Sequence, residues 1–340
     1  MNPIKYFLLI LLIFLFHLPT FSQKLHTPSE ILKIMEESEI SYEFDVLKQK
    51  IEAPDRSNNL VYNDYYHKTD SSGFTTVSYK PSDKVKDYLE KAETYFRADD
   101  NAKARELYLK ALELDTSYFK LMTFVAQTYE REKNYEEAIN WYKKTIKKNY
   151  IDYMAHWFIS DIYLKTGNKK EALREITIAS VLNRNNPRIK KAFDNIYNEC
   201  RLKNEEWTFV PQYNLTKSKD NKVTIYFSEY WMGYAITKAV WKYEPDYRTN
   251  MGETDSTISI LEEKEALVSL MIGLSNTKKA FRQFPEFKAL KEAFENKFVE
   301  EFILYEIILP EYPYVALQIP TNFVESVCDY TMTVRGGKKL

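Results

Sequence analysis

Three carboxylates beside aromatic residues are the best candidates for acid–base chemistry in this sequence. Glu229 follows a β-rich run in "YFSEYW", and Glu244 and Asp246 lie in "WKYEPDY". A carboxyl group enclosed by aromatic side chains can keep its proton near neutral pH and act as a general acid. A carboxylate on a surface loop is the competing interpretation. A deep apolar pocket around Glu229 and Glu244 would favour catalysis.

The other reactive side chains form no recognisable catalytic or metal-binding motif. The sequence lacks GxSxG, GxGxxG, Walker and HExxH motifs, and "GETDSTIS" lacks the spacing of a calcium loop. His26, His67 and His156 are scattered along the chain, and no histidine is near Cys200 or Cys328. We therefore expect no catalytic residue, no metal and no cofactor. The two cysteines form a bridge or remain free thiols, and the absence of a framework pattern favours free thiols.

Composition indicates a folded chain that does not bind nucleic acid. Of the 340 residues, 44% are hydrophobic and 29% are charged, with a formal net charge of −1. Without a broad basic field, the chain lacks the electrostatic signature of nucleic-acid binding. Only 7 residues are glycine and 27 are tyrosine. Such a chain has few glycine-rich loops for phosphate and many wide, amphipathic contacts.

The first 22 residues have the layout of a secretory signal peptide. Lys5 precedes an apolar run from Tyr6 to Phe16, and Pro19 and Ser22 follow. We place cleavage after Ser22. The alternative is an uncleaved membrane anchor, but the run is shorter than the roughly 20 residues that span a bilayer. The protein is therefore expected to be exported, to the periplasm, the cell surface or the exterior.

Three segments of the chain repeat one another at a period of 34 residues. They are "VKDYLEKAETYFRADDNAKARELYLKALELDTSY", "FKLMTFVAQTYEREKNYEEAINWYKKTIKKNYID" and "YMAHWFISDIYLKTGNKKEALREITIASVLNRNN". Residues of matching type recur in register: Ala92, Ala126 and Ser160; Tyr95, Tyr129 and Tyr163; Ala104, Ala138 and Ala172; Tyr108, Tyr142 and Ile176; Ala111, Thr145 and Ala179. Each unit predicts two antiparallel helices whose apolar faces are buried only when neighbouring units stack.

This pattern resembles the tetratricopeptide (TPR) repeat over about residues 85–186. The resemblance rests on a small residue at the eighth position of each unit, tyrosine at the eleventh, alanine at the twentieth and an aromatic residue at the twenty-fourth. Ile176 departs from the last of these, and the family's closing proline is missing. Pro187 comes three residues late, where proline is accepted in a first helical turn. It predicts a further helix, to about Lys203, that caps the third unit.

The resemblance implies that the first helix of each unit, helix A, lines a concave face that binds a peptide or partner protein. Phe96 and Trp157 are the candidate anchors, because aromatic residues dominate binding hot spots. Leu89 and Glu93 replace the Lys and Asn that the family's carboxylate clamp needs, which excludes chaperone C-termini as ligands. The predicted groove comprises Lys86, Leu89, Glu93, Phe96, Arg97, Lys120, Thr123, Gln127, Glu130, Arg131, Met154, Trp157, Asp161, Leu164 and Lys165.

The segments on either side of the repeats show no repeat phase. In the lead-in, "PSEILKIMEESEI" predicts a helix capped at Thr27 or Ser29, and two extended runs join at "TDSSG". This lead-in is expected to fold onto the first repeat or onto the C-terminal domain. After the repeats, "WTFVPQYNL", "KVTIYFSEY" and "YVALQIP" predict strands. The segments "WMGYAITKAVWKY", "SILEEKEALVSLMIGL", "EFKALKEAFENKFVEEFILYEIIL" and "TNFVESVCDYTM" predict helices.

The predicted fold is mostly α. A signal peptide (1–22) and a lead-in (23–82) precede a TPR-like helical solenoid with its capping helix (83–203), and a mixed α+β domain (204–340) follows. The expected function is that of an exported, non-enzymatic scaffold that binds a protein or peptide, without nucleic acid, cofactor or a transmembrane segment after cleavage. The alternative is a C-terminal hydrolase or small-molecule-binding domain whose substrate the repeats recruit. The partner's identity and the oligomeric state are left open.

Overall fold

The computed structural model describes residues 24–71, 73–203, 206–253, 258–336 and 338–339. Their contacts divide them into two compact units. The repeat body consists of the described residues from 56 to 203 and from 309 onwards, and the sheet body consists of those from 24 to 55 and from 206 to 308. The signal-peptide prediction for residues 1–22 lies outside the described residues.

The helices and strands of both bodies are numbered here in chain order. The first part of the chain contains α1 (Pro28–Glu36), β1 (Ser41–Val46), β2 (Tyr65–Asp70), β3 (Gly73–Ser78), α2 (Asp83–Arg97), α3 (Asn101–Leu114), α4 (Lys120–Arg131), α5 (Tyr135–Lys148), α6 (Tyr153–Lys165), α7 (Lys169–Leu182) and α8 (Pro187–Glu199). The second part contains β4 (Leu202–Lys203), β5 (Tyr213–Lys217), β6 (Lys222–Phe227), α9 (Met232–Tyr243), α10 (Tyr247–Asn250), α11 (Ile260–Leu274), α12 (Lys278–Gln283), α13 (Pro285–Glu295), α14 (Val299–Phe302), a π-helical segment (Ile303–Ile308), α15 (Leu309–Glu311), a 3-10 helix (Pro313–Gln318), α16 (Thr321–Tyr330), a second π-helical segment (Thr331–Arg335) and β7 (Lys338–Lys339).

The repeat body contains three helical hairpins, α2–α3, α4–α5 and α6–α7. The turn between the two helices is built in the same way each time, because Asp99, Lys133 and Gly167 all have positive φ angles, of 64°, 60° and 82°. A left-handed residue at this point ends helix A. The side chains of Asp100 and Asn134 then cap the second helix, helix B, in the first two units. The local sequence therefore sets each hairpin before any packing between units.

The repeated positions form the core of the array, which confirms the predicted TPR-like solenoid. Four of the five sets of equivalent residues are buried, with exposed fractions of 0–1% at Ala92, Ala126, Ser160, Ala104, Ala138, Ala172, Tyr108, Tyr142, Ile176, Ala111, Thr145 and Ala179. In the fifth set, Tyr95 and Tyr129 are half-buried and Tyr163 is buried. Small residues let the two helices approach, and the larger side chains fill the space between units. Helix α8 packs on α7, as predicted, with Ile189, Phe193 and Tyr197 buried along one stripe.

The sheet body is built around a three-stranded sheet of order β1-β6-β5. Strand β1 runs parallel to β6, with Ser41 opposite Lys222, and β5 runs antiparallel to β6. Helices α1 and α9 pack with this sheet in one apolar cluster that includes Ile31, Val223 and Trp241. The first half of the lead-in therefore supplies a helix and an edge strand to the sheet.

The two compact units divide the chain differently from the predicted domain boundaries. The lead-in splits near residue 55, so that its first half belongs to the sheet body and its second half to the repeat body. The C-terminal segment from residue 309 returns to the repeat body, where α16 packs on α7. There Arg174 forms an ion pair with Asp329, at 3.5 Å. Contacts between segments that are distant in the sequence caused both differences.

Several predicted elements of the C-terminal region also differ from the structure. The predicted strand "YVALQIP" lies largely in a 3-10 helix, whose first residue is Pro313 and which Pro320 follows. The long predicted helix is interrupted after α13, where Lys297 has a φ of 62°. The run from Trp207 to Gln212 is not a strand, and β5 begins only at Tyr213. Proline lacks the backbone donor that a strand requires, and Pro211 lies in that run.

Candidate functional site

Neighbouring A helices are connected along the predicted groove by a recurring contact. The thirteenth residue of one unit contacts the twelfth residue of the unit before it. The guanidinium carbon of Arg131 lies 3.7 Å from the centroid of the Phe96 ring, and its Nη1 donates to the Phe96 carbonyl at 2.6 Å. At the equivalent place, Lys165 Nζ donates to Glu130 Oε1 at 3.1 Å. The groove therefore has a row of basic residues, and two of them bind the preceding unit.

Tyrosines of helix B hold two of the groove carboxylates. The Tyr108 hydroxyl donates to Glu93 Oε1 at 2.6 Å, and the Tyr142 hydroxyl donates to Glu130 Oε2 at 3.0 Å. Burial, and then the neighbouring carboxylate, raises the pKa of each tyrosine well above its ordinary value. Both phenols therefore remain donors. They fix the groove carboxylates at defined positions instead of leaving them free to follow a ligand.

The third unit presents the most apolar part of the predicted groove. Trp157 is half-buried, with its ring centroid 5.1 Å from that of Phe158. Asp161 follows one turn later, and its carboxylate has no hydrogen bond among the described residues. Burial raises the pKa of Asp161 to about 6, against a lowering effect of Lys165, and Glu130 raises it further. An aromatic ring beside a partly desolvated carboxylate is a suitable place for a partner's apolar and cationic groups.

The other predicted groove residues occupy three kinds of environment. Lys86 and Arg97 are exposed, and they pair within their own helix with Asp83 at 2.9 Å and Glu93 at 4.0 Å. Leu89 packs against the core of the first unit, and Gln127 and Leu164 are half-buried. Thr123 does not belong to the groove, because it is buried and donates to Asp152 at 3.0 Å.

A segment of the lead-in, residues 58–66, lies along the junctions between repeats and is called the strap here. Asn149 Nδ2 donates to the Tyr65 carbonyl at 3.0 Å, and Asn183 Nδ2 donates to the Leu60 carbonyl at 3.1 Å. Asp115, the equivalent residue of the first unit, accepts from the Tyr79 hydroxyl at 2.7 Å, just after the β2–β3 hairpin. The residue that ends each B helix is therefore polar and binds part of the lead-in. In the second and third units it binds the strap, and in the first unit it binds Tyr79.

The strap also contacts two residues of the predicted groove. Lys120 Nζ donates to Asp64 Oδ1 at 2.9 Å, and Asn63 Nδ2 lies 2.9 Å from Met154 Sδ. Lys120 and Met154 hold the second position of their units. Because strap residues already bind both side chains, the second position of the second and third units contributes less to the accessible part of the groove.

The carboxylates proposed for acid–base chemistry lie in ordinary surroundings in the sheet body. Glu229 and Asp246 are exposed, while Glu244 is half-buried and accepts a hydrogen bond from the Tyr42 hydroxyl. The solvent exposure of Glu229 differs from the deep apolar pocket that the hydrolase alternative requires.

A buried polar cluster in the sheet body was not foreseen from the sequence. Glu265, whose side chain is fully buried, accepts from the Trp241 indole at 2.6 Å, from the Tyr247 hydroxyl at 2.9 Å and from the backbone N–H of His26 at 2.7 Å. The His26 Nδ1 lies 2.7 Å from the Tyr247 oxygen. The cluster ties the start of the described chain to α10 and α11. Each of these donors has the carboxylate as its partner, which suits a structural role.

The remaining candidate side chains have structural partners. His156 contacts the Tyr150 carbonyl at 2.9 Å and the Glu175 carboxylate at 2.5 Å, and His67 Nε2 lies 3.0 Å from the Leu317 carbonyl. Cys200 and Cys328 are not bridged. Within the described ranges, no three His, Cys, Asp or Glu side chains are grouped so that they could hold a metal ion. None of the described helices is both long and apolar enough to cross a membrane.

Comparison with protein families agrees with the architecture of the repeats. A tetratricopeptide repeat model matches residues 89–149 and 126–177, within the three hairpins. The repeat region of this chain is therefore a tetratricopeptide repeat array, and the resemblance seen in the sequence is confirmed. A search of curated proteins found no match.

Solved structures similar to part of the chain are themselves tetratricopeptide proteins. The Yersinia enterocolitica type III secretion translocator chaperone SycD is 16% identical, with 35% of this chain and 96% of SycD covered and a TM-score of 0.33. The first TPR domain of Spaghetti (RPAP3), bound to an HSP90 peptide, is 21% identical, with 35% and 94% covered and a TM-score of 0.33. The Arabidopsis OM64 TPR domain is 18% identical, with 33% and 93% covered and a TM-score of 0.31.

The strap is the feature of this surface that the sequence reasoning missed. Its contacts depend on Asn149 and Asn183, which recur with Asp115 at the repeat period and share short polar side chains. That recurrence was available in the sequence. It indicated a shared role but not the ligand, because an Asx residue at the end of a helix serves equally well as an ordinary cap.

Proposed function

We propose that this chain is an exported, non-enzymatic interaction protein whose repeat array binds a peptide segment of a partner protein. The observation that carries the proposal is the face of α6, where half-buried Trp157 lies beside Asp161. An aromatic anchor next to a carboxylate without a hydrogen bond offers both contact area and a charge to be paired. The matched tetratricopeptide repeats support the class of function.

Export is a separate part of the proposal and rests on the layout of residues 1–22. The mature chain would begin at Gln23, close to His26, whose backbone binds Glu265. Amino-terminal sequencing of the protein purified from the exporting cell tests this directly. A mature chain that begins at Gln23 is expected, and a chain that retains Met1 would reject the cleavage.

The groove is tested with the double variant Trp157→Ala, Arg131→Ala. Its matched control is Trp141→Ala, Lys144→Ala, which removes the same residue type and a cation from helix B, where Lys144 lies over the Trp141 ring. Immobilised full-length proteins are compared for partner capture from the envelope fraction. The groove variant should retain about a tenth or less of the captured partner, as expected when a hot spot is lost.

The control should capture the partner as wild type does, and thermal unfolding should show that both variants remain folded. If the groove variant captures the same partners at the same affinity, the binding face has been assigned to the wrong residues.

A further inference from the structure

The junction between the first and second repeats holds a carboxylate from outside the array. The Asp64 carboxylate of the strap accepts from Lys120 Nζ at 2.9 Å and from the Tyr118 hydroxyl at 3.2 Å. Lys120 is largely shielded, with a side-chain exposure of 16%, whereas 42% of the Asp64 side chain is exposed. The array therefore supplies a cation, Lys120, and a phenol donor, Tyr118, that together bind an anion. The anion, Asp64, belongs to a more exposed segment.

The same junction also binds the two residues that follow Asp64. Asn149 Nδ2 donates to the Tyr65 carbonyl at 3.0 Å, and the Tyr66 ring packs edge-on against Phe119 with centroids 5.5 Å apart. Carboxylate, main-chain carbonyl and aromatic ring are thus taken from three consecutive residues. These are the elements by which an extended peptide is usually recognised, main chain for affinity and side chains for selectivity.

The strap fills this junction imperfectly. The side-chain oxygens of Asn63 and Asn149 are buried and have no hydrogen-bond partner in the structure. A small cleft of about 10 Å³, partly open to solvent, remains between the strap and Ser117, Tyr118 and Phe119. Buried acceptors in folded proteins are nearly always paired. A donor placed in this cleft, from a water molecule or from another occupant, would pair these oxygens.

We propose that Tyr118, Phe119, Lys120 and Asn149 form a binding site for an extended acidic–aromatic segment of a partner protein, and that the strap is its displaceable built-in occupant. The proposal rests on the function proposed above and adds the chemistry of the partner: an Asp or Glu followed, two residues later, by an aromatic residue. Lys120 selects the acid, Asn149 binds the main chain and Phe119 receives the ring.

Displacement of residues 63–66 also opens the end of the β2–β3 hairpin, where Tyr65 pairs with Ser78 and Tyr66 with Val77. The start of the strap stays in place at the end of α7, where Tyr62 is buried, with 2% exposure, and its hydroxyl donates to the Leu182 carbonyl. The backbone N–H of Asn58 also donates to the Asn185 carbonyl at 3.0 Å. These contacts anchor the start of the strap while residues 63–66 exchange with a competing segment.

The test measures binding of a fluorescein-labelled peptide, NDYYHK, to the full-length protein by anisotropy. Asp64→Ala with Tyr66→Ala weakens the strap and should bind the peptide at least tenfold more tightly than wild type. Adding Lys120→Met to this variant should weaken its affinity for the peptide by at least tenfold. Adding Lys84→Met instead is the matched control, since Lys84 is an exposed lysine near the start of α2 that lies outside the predicted groove, and it should leave the affinity of the strap variant unchanged. The peptide NNYYHK should bind at least tenfold more weakly.

If the strap variant binds no more tightly than wild type, or Lys120→Met has no effect on its affinity, the site is rejected. Hydrogen exchange on wild type avoids dependence on variants that fold poorly. With saturating peptide, amides of residues 63–66 should exchange faster, while those of α5 stay unchanged. Bound peptide with no change in the strap amides would also overturn the proposal.

The peptide-binding experiment and the groove test can each reject one assignment without affecting the other. The Trp157→Ala, Arg131→Ala variant should bind NDYYHK as wild type does, because neither residue contacts the strap site. Loss of partner capture by that variant with normal peptide binding supports both assignments. Unchanged capture would reject the groove alone, and absent peptide binding would reject the strap site alone.

Discussion

The segments that pack together in the repeat body are close in the sequence, whereas those that pack together in the sheet body are far apart in the sequence. In the repeats, each buried position recurs in the next unit, and helix A packs on the helix B that directly follows it. In the sheet body, β1 pairs with β6, so that Ser41 lies opposite Lys222. The first kind of contact is local and periodic, whereas the second depends on segments that the whole repeat array separates in the sequence.

The comparison shows where sequence periodicity carries structural information. A solenoid buries its core through one rule applied repeatedly, so a small residue or tyrosine in register already implies its neighbours. A mixed sheet has no such rule, because its strand order follows from which distant segments cover one another. Substitutions in each body test this difference, and for the two largest effects the other body serves as the reference.

The largest effect is expected from Tyr142→Ala in the repeat body. The ring is fully buried between units and its hydroxyl binds Glu130. Removal of a buried aromatic side chain should lower the free energy of unfolding by about 3–5 kcal/mol. Urea unfolding gives the magnitude, and hydrogen exchange resolved by segment gives the location.

Tyr142→Phe is the control, and it should cost about 1 kcal/mol through the lost hydrogen bond. Exchange should accelerate in α4 to α7 and not in β5 and β6. Equal acceleration in the sheet body would show that the two bodies unfold as one cooperative unit.

A somewhat smaller effect is expected from Glu265→Ala in the sheet body. The change leaves the Trp241 indole, the Tyr247 hydroxyl and the His26 backbone N–H without their shared acceptor. The expected loss of stability is about 3 kcal/mol, since several buried donors lose a charged partner. Amides of α1 and β1 should exchange faster, while those of α2 to α7 do not change.

Glu265→Gln keeps one acceptor oxygen and should be less damaging than alanine. Protection of α1 and β1 that stays at the wild-type level in Glu265→Ala would mean that the apolar cluster alone holds the lead-in in place.

The smallest effect concerns the pH dependence of the repeat body through Asp161. Its pKa is raised from an ordinary 3.8 to about 6, chiefly by burial. Between these values the folded state binds more protons than the unfolded chain, so stability falls as pH rises and then levels off above about 6. Asp161→Asn should therefore be more stable than wild type at pH 7.5, by on the order of 1 kcal/mol for this partly exposed group.

At pH 3, below the ordinary pKa of 3.8, the difference between Asp161→Asn and wild type should largely vanish, because Asp161 is then mostly protonated in both the folded and the unfolded chain. Urea midpoints at the two pH values provide the measurement, with Glu136→Gln, at an exposed site of α5, as the control. A stability difference that does not depend on pH would show that burial does not perturb this carboxyl group.

Repeat position alone assigned Arg131, Lys165 and Glu130 to the A helices and Ala138 and Tyr142 to the core. The contacts by which the first three connect neighbouring A helices were not predicted. The sequence could not show that Lys120 and Met154 are bound by the strap, since Asp64 and Asn63 lie in an irregular segment without periodicity. Thr123 was assigned to the groove by position alone, although a short polar side chain can turn inward when Asp152 offers an acceptor.

The sequence by itself determined the three hairpins, their turns and the residues buried between them. Each depends on contacts within one or two units, where helix propensity, capping and spacing act together. Only the tertiary structure decided that the lead-in divides between two bodies, that the strap lies along the repeat junctions and that α16 returns to α7. These arrangements depend on which surfaces, distant in the sequence, bury one another most completely. A local sequence pattern carries no information about that comparison.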